Sequence, residues 1–196
     1  MSMKVLYITA NPKEIKDSVC LSLGEVALNE FKAKHPQVEV TTLDVCANEY
    51  AHINGDTLKD YMNPHGLCGL AATDFVSYDY FIVVAPMWNL TVPSALKAFW
   101  DTVIIPNITF RYNEQGRTEG LCKGSMLYIG ARGGDYSSEF LQDIACDDRM
   151  MKGIAGMIGC KYQSYVANGV GGYRQRSVAD WVDFAANDVI SAVGEM

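Results

Sequence analysis

Short apolar runs alternate along the chain with longer segments in which apolar residues recur every three or four positions. Five runs rich in β-branched and aromatic residues predict strands, at residues 4–10, 38–44, 80–85, 125–130 and 161–167. The first, third and fourth runs are apolar almost throughout, which is typical of strands buried on both faces. The alternation indicates βαβ units and therefore a parallel sheet with these three strands at its centre.

Helical periodicity fills most of the intervals between the strands. Residues 19–34, 94–103, 138–158 and 175–193 predict amphipathic helices that cover the sheet. Residues 46–70 include an Asn-Pro pair and many polar side chains, which favours loop and short helix.

One segment, residues 107–121, fits neither pattern. Its apolar and polar positions alternate within residues 108–112 and 117–121, around a glycine-containing turn at residues 113–116. This pattern predicts a β-hairpin inserted between a helix and the fourth strand of the sheet.

Composition and charge narrow the class of protein. The 196 residues suit one domain, residues 1–196, and the 16 Lys and Arg residues are scattered over a chain of net charge −7, so nucleic acid is not an expected partner. The longest apolar stretch, residues 80–90, is much shorter than the roughly 20 residues of a membrane-spanning helix. The six cysteines form no C-x-x-C pair and the three histidines lie in polar segments, so we expect reduced thiols and no metal site. We expect a cytoplasmic protein without a targeting segment.

The loop after the first strand has features of a phosphate site. In an open parallel sheet, ligands bind beyond the carboxyl ends of the strands. Asn11 opens this loop, and Ser18 lies where the cap of the following helix belongs. Ser18 and the backbone N–H groups of Val19 and Cys20 could hold a phosphate at the positive end of the helix. Alternatively, Ser18 only caps its own helix.

The loop after the third strand has features of a ring site. Pro86 and Pro93 stiffen it, and Met87, Trp88 and Leu90 are large apolar residues in a position that is normally exposed. A flat aromatic ligand would cover them, and the Asn89 amide would supply polar contacts beside it. The alternative is that Trp88 packs into a neighbouring helix or a partner subunit.

The loop after the fourth strand is rich in glycine. Ala131, Arg132, Gly133 and Gly134 follow each other there, and the glycines would let backbone N–H groups approach a ligand. Two adjacent glycines are also typical of a plain tight turn, which is all we predict for the later glycine run at residues 169–172.

The three loops together describe a mononucleotide that carries a large flat heterocycle. One loop suits a phosphate, one a ring face, and one the polar edge of that ring. No G-x-G-x-x-G follows the first strand, which argues against a nicotinamide dinucleotide site of the Rossmann type.

On these residues the chain resembles the FMN-dependent NADH azoreductases and quinone reductases of the flavodoxin-like superfamily. The resemblance runs from residue 4 to about residue 167. Its most specific motifs are Pro86-Met87-Trp88-Asn89-Leu90, Leu96-Lys97, Asp101, Thr109-Phe110-Arg111-Tyr112, Glu119-Gly120-Leu121 and Arg132-Gly133-Gly134. It implies a flavodoxin-like α/β fold: a three-layer sandwich whose five-stranded parallel sheet has the order 2-1-3-4-5, with helices on both faces.

The resemblance also implies roles for the residues of the three loops. The segment from Met87 to Leu90 would wrap the isoalloxazine ring, and Arg132, Gly133 and Gly134 would meet its pyrimidine side. Ala131 stands where the family often has serine. The family's phosphate motif Ser-x-Ser corresponds to Ser18-Val19-Cys20, in which a thiol replaces the second hydroxyl. Asn11 and Pro86 complete the expected FMN-binding set.

The implied reaction is a ping-pong transfer of two electrons. NADH or NADPH would reduce the bound FMN and leave, and a quinone or azo compound would then be reduced in the same cleft of a homodimer. Asn89 is the residue we expect nearest the N5/O4 edge of the ring. The alternative function is that of an electron-carrier flavodoxin without its own NAD(P)H oxidase activity.

Two flavin-free classes fit less well. A signalling receiver needs paired acidic residues at the end of the first strand, where this chain has Thr9, Ala10 and Asn11. A serine hydrolase would carry a G-x-S-x-G motif, which is missing from the sequence.

Overall fold

The computed structural model describes residues 2–48, 50, 52–61, 63–172 and 176–196. The strands, numbered along the chain, are β1 (Lys4–Thr9), β2 (Glu39–Asp44), β3 (Tyr80–Pro86), β4 (Phe110–Tyr112), β5 (Thr118–Gly120), β6 (Ser125–Arg132) and β7 (Lys161–Asn168). The helices are α1 (Val19–Lys34), α2 (Leu58–Tyr61), α3 (Leu67–Phe75), α4 (Ser94–Val103), α5 (Glu139–Ile144), α6 (Asp147–Ile158) and α7 (Val178–Gly194). A short 3₁₀ turn, Ile15–Asp17, precedes α1.

Five strands form one parallel sheet in the order β2-β1-β3-β6-β7. Counted over these strands alone, this is the order 2-1-3-4-5, so the predicted topology is confirmed. The central strands β1, β3 and β6 are buried along almost their whole length, whereas the edge strands β2 and β7 are mixed. The apolar runs of the sequence therefore mark the centre of the sheet, as their composition predicts.

Each face of the sheet carries its own core. Trp100 of α4 and Met151 of α6 pack with Phe75 of α3 on one face. Phe31 of α1 and Trp181 of α7 belong to the core on the other face. The result is the predicted three-layer sandwich, in which the helices that follow β1 and β3 lie on opposite faces of the sheet.

The segment predicted as one helix over residues 138–158 is in fact two helices. Ala145 adopts an extended conformation (φ −79°, ψ 102°) between α5 and α6. The Cys146 N–H donates to the Leu90 carbonyl at 2.7 Å, and Asp147 is fully buried against Arg132. Tertiary contacts thus end the first helix at a point where the sequence periodicity continues.

The other helical predictions hold with small shifts. Both α1 and α4 have the predicted bounds. The first residue of the predicted helix at 175–193 lies outside the described residues, and α7 begins after Ser177, whose side chain forms a capping box with Asp180. Residues 46–70 contain α2 and the start of α3, which continues to Phe75. No helix among the described residues is both long and apolar enough to cross a membrane.

The predicted hairpin is confirmed as the antiparallel pair β4 and β5. Arg111 and Glu119 pair across it, with 3.0 Å between Nε and Oε2. The hairpin packs closely on the end of α6, since a Cβ atom at Gly120 would lie 2.0 Å from the Gly159 nitrogen. Only glycine fits at that contact.

Candidate functional site

A cleft of about 550 Å³ lies at the carboxyl edge of the sheet. Its walls come from the loops that follow β1, β3, β6 and β7. The predicted residues that line it are Asn11, Ser18, Val19, Cys20, Pro86, Met87, Trp88, Ala131 and Gly133. The structure therefore brings most of the predicted set together at one site, where the topology of an open parallel sheet favours ligand binding.

A buried polar cluster forms the end of the cleft beside α1. The Asn11 side-chain amide donates to Ser18 Oγ at 2.9 Å and to Cys20 Sγ at 3.5 Å. Ser18 Oγ lies 3.3 Å from Cys20 Sγ and accepts from the Leu21 N–H at 3.3 Å. Ser18 thus caps α1, which is one of the two roles that the sequence suggests for it. The cap still leaves other N–H groups of the first turn available to a ligand, because the first N–H groups of a helix have no acceptor within it.

The Cys20 thiol is held in its neutral form. Burial raises the pKa of this thiol above its usual value, and the hydrogen bonds from Ser18 and Asn11 oppose the shift without reversing it. A neutral thiol adds no negative charge to the end of the helix. The cluster therefore leaves the partial positive charge of the α1 N-terminus available to an anion.

A tight two-residue turn forms the wall after β3. The Trp88 N–H donates to the Thr91 carbonyl at 2.8 Å, and the Thr91 N–H returns a bond to Trp88 at 3.2 Å. Asn89 and Leu90 between them both have positive φ angles, 49° and 72°. Leucine rarely adopts this conformation, which costs about 1–2 kcal/mol. Surrounding contacts must hold the turn in place.

Trp88 stands at the mouth of the cleft. Its side chain is 45% exposed and belongs to neither core, which argues against the interpretation that it fills the protein interior. Trp88 also borders a second cavity of about 520 Å³, which Asn89 and Ile53 help to line. Asn89 and Leu90 do not line the main cleft itself.

The loop after β6 presents its backbone to the cleft. The Ala131 carbonyl accepts from the Met87 N–H at 2.8 Å, which joins this loop to the β3 wall. The Gly133 and Gly134 carbonyls accept from Gly171 and Gly169 at 3.0 and 2.9 Å. Gly133 lines the cleft and Gly134 does not.

The Arg132 side chain lies outside the cleft. It makes a buried ion pair with Asp147, with 2.7 Å between Nη2 and Oδ1. Side chains alternate along a strand, so Arg132 shares the sheet face of Met126 and Tyr128, whereas Ala131 points to the opposite face. Because side chains alternate along a strand, the sequence alone predicts the face of the sheet to which Arg132 points.

Sequence reasoning missed the loop after β7. Val170, Gly171, Arg176, Ser177 and Val178 line the cleft, although the glycine run at 169–172 predicts only a turn. The signal was available, since β7 is parallel to the other strands and its carboxyl end lies at the same edge. This loop adds the cation of Arg176 to that of Lys13, which the loop after β1 contributes.

The fold and the position of the cleft define a flavodoxin-like protein. A family model described as flavodoxin-like fold matches residues 3–186. An FMN-dependent NADH-azoreductase from Bacillus anthracis str. Ames Ancestor, solved in complex with FMN, superposes with a TM-score of 0.83 over 98% of both chains at 24% identity. At that identity the likeness establishes the fold.

The sequence comparisons identify the family within this fold. The FMN-dependent NADH:quinone oxidoreductase 2 of Photobacterium profundum is 60% identical over 188 residues, which cover 95% of this chain and 96% of that protein. The FMN-dependent NADH:quinone oxidoreductase of Caldicellulosiruptor saccharolyticus is 33% identical over 163 residues, 80% of this chain and 81% of that one. The chain belongs to the family of FMN-dependent NADH:quinone oxidoreductases.

Proposed function

We propose that this chain is one FMN-binding domain that catalyses the reduction of quinones or azo compounds by NADH or NADPH through bound FMN. The observation that carries the proposal is the composition of the cleft, which joins a helix N-terminus at Ser18 to a half-exposed Trp88. An anion fits the first end and a flat ring fits the second. The volume of the cleft, about 550 Å³, lies within the usual range for small-molecule sites.

The residues present fit FMN with its phosphate at the α1 end of the cleft. The N–H groups at the start of α1 would hold the phosphate, with the cations of Lys13 and Arg176 lining the same cleft. Met87 and Trp88 would contact the ring, and the backbone of Gly133 would face it from the β6 loop. Ala131 and Cys20 replace the serines common in the family, so main-chain donors rather than hydroxyl groups would supply those contacts.

When bound, FMN would supply the chemistry of hydride transfer between the nicotinamide and the acceptor, and the second proton that a quinone needs would come from solvent. The role of the protein is to position and enclose these reactants. The Trp88 face would stack beside the ring, and the Asn89 amide, which lines the adjoining cavity on the other side of Trp88, would meet a polar edge of the ring that extends past Trp88. Donor and acceptor would use the same opening in turn, as a ping-pong sequence requires.

We also propose that the protein works in the cytoplasm as a homodimer. Several large apolar side chains near the cleft edge and on the hairpin are open to solvent in a single chain, among them Trp88 (45%), Leu90 (40%) and Tyr112 (64%). Apolar groups of this size are usually sheltered by a partner in symmetric assemblies. Sedimentation that gives only the 21.6 kDa monomer at micromolar concentration would contradict the dimer.

Three measurements on the purified protein test the function. Bound flavin should give a yellow protein, and mass spectrometry of the heat-released cofactor should show FMN rather than FAD. Steady-state oxidation of NADH and of NADPH should then be followed with menadione and with an azo dye. A protein that binds FMN but turns over neither nicotinamide would be an electron carrier, and one that binds no flavin would refute the proposal.

A further inference from the structure

The first turn of α6 touches the wall after β3. The Cys146 N–H donates to the Leu90 carbonyl at 2.7 Å, which fixes one of the two residues of the turn with positive φ. One helical turn further on, Met150 Sδ lies 3.6 Å from Thr91 Oγ1. The strained turn beside Trp88 is therefore held by the start of α6.

The same turn of α6 also holds the wall after β6. Asp147 Oδ1 accepts from Arg132 Nη2 at 2.7 Å and from Arg132 Nε at 3.0 Å, and Oδ2 accepts from Nε at 3.1 Å. The Asp147 carboxylate is completely buried, and only 9% of the Arg132 side chain is exposed. A planar guanidinium bound through two nitrogens fixes orientation as well as distance.

The remaining oxygen contacts of Asp147 extend the network to β3. The Tyr128 hydroxyl lies 3.3 Å from Asp147 Oδ2 and 3.4 Å from the carbonyl oxygen of Ala85, just before the β3 wall begins. Burial raises the pKa of Tyr128 well above its usual value, so its hydroxyl remains a donor. Asp147 itself does not line the cleft.

We propose that Asp147 is a positioning residue: its ion pair with Arg132 holds the start of α6, and with it the strained turn after β3, in place against the β6 side of the flavin cleft. The proposal rests on the proposed function, because the property that Asp147 would control is the geometry around the FMN ring. With its side chain turned to Asp147, Arg132 leaves the backbone of Gly133 facing the cleft. The ion pair thus determines what the β6 wall presents to a ligand.

Two variants test this role against a matched control. Asp147→Asn removes the charge of the carboxylate that holds Arg132. Arg132→Lys keeps the charge pair but loses the bidentate geometry, so it disturbs the position of the β6 wall with a smaller effect on folding. Asp148→Asn is the control, because Asp148 is the next acidic residue of the same helical turn and its carboxylate accepts from Tyr162 at 2.7 Å, away from the cleft.

The readouts are FMN affinity, the visible spectrum of bound flavin and its midpoint potential, each measured with a thermal melt. We expect FMN affinity to fall about tenfold or more in Asp147→Asn and several-fold in Arg132→Lys, with a shifted spectrum and potential in both. The control should stay within about twofold of wild type.

A merely structural role predicts a different pattern. Arg132→Lys would then bind FMN with wild-type affinity, spectrum and potential whatever its melting temperature, and that result would overturn the proposal. Because Arg132→Lys retains a counter-charge for the buried carboxylate, it decides the question even if Asp147→Asn fails to fold. If wild type and Asp148→Asn also bind no FMN, the proposed function fails instead.

Discussion

The substitution Trp88→Ala separates a ligand-binding aromatic side chain from a core one. The exposed 45% of Trp88 corresponds to on the order of 100 Å², taking the upper end of the area that a tryptophan can bury. A ring that covers half of this area would gain about 1.2 kcal/mol at 25 cal/mol per Å². Aromatic contact adds about 1 kcal/mol more. The loss of about 2 kcal/mol predicts a dissociation constant for FMN that is roughly thirtyfold higher.

The stability of the apoprotein provides the contrast. Trp100 is 1% exposed and lies in a core, so Trp100→Ala should lower the free energy of unfolding by about 3–5 kcal/mol. Trp88→Ala should lower it by less than half as much, because its side chain belongs to neither core. Denaturant titration of the two apo variants measures this difference.

Fluorescence titration with FMN completes the assay, since flavin fluorescence changes on binding to an aromatic site. Wild-type FMN affinity in Trp88→Ala would refute a contact between this side chain and the ring. A loss of stability as large as that of Trp100→Ala would also refute it, because Trp88 would then be a structural residue.

Three further predictions concern the turn and the phosphate end. Asn89→Gly keeps the positive φ without strain, and it should lower NADH-to-quinone turnover about tenfold with little change in FMN affinity. Asn89→Ala should in addition lose stability, because alanine at this φ adds about 1–2 kcal/mol of backbone strain. Stopped-flow kinetics and thermal melts on both variants measure these effects. Ser18→Ala should weaken FMN about tenfold but riboflavin less than twofold, since only FMN carries a phosphate; equal losses in a titration would contradict this. Cys20 should be alkylated more slowly than the exposed Cys146 at pH 7, because the raised pKa of the Cys20 thiol leaves little thiolate at neutral pH. The alkylation rate of Cys20 should rise with pH. Peptide mass mapping measures the rates at both cysteines.

The regular elements were predictable because local patterns define them. The bounds of α1 and α4 match the sequence prediction, and each of the five sheet strands lies within two residues of its predicted ends. The interruption of the helix at Ala145 was not predictable from the local pattern. It depends on Cys146 and Asp147 meeting Leu90 and Arg132, which lie far away in the chain.

The candidate site was predictable to the extent that strand ends define it. The loops after β1, β3 and β6 were found because they follow the most apolar strands. The strand β7 was also predicted, but the glycine run after it was interpreted as a plain turn, because adjacent glycines are typical of one. The resemblance to known reductases suggested that Arg132 meets the flavin. The direction of its side chain follows instead from the alternation along β6.

The two ends of the cleft differ in what holds them, and this difference has a functional consequence. The phosphate end is the N-terminus of α1, which exists wherever that helix forms and needs only the local bonds of Asn11 and Ser18. The ring end is a strained turn that needs the start of α6 to hold it. Changes at Asp147 should therefore alter the spectrum and potential of the bound flavin, whereas the preference for FMN over riboflavin should persist. Recognition of the phosphate and control of the reactivity of the ring would thus reside in different parts of the fold, whereas the total affinity for FMN depends on both ends of the cleft.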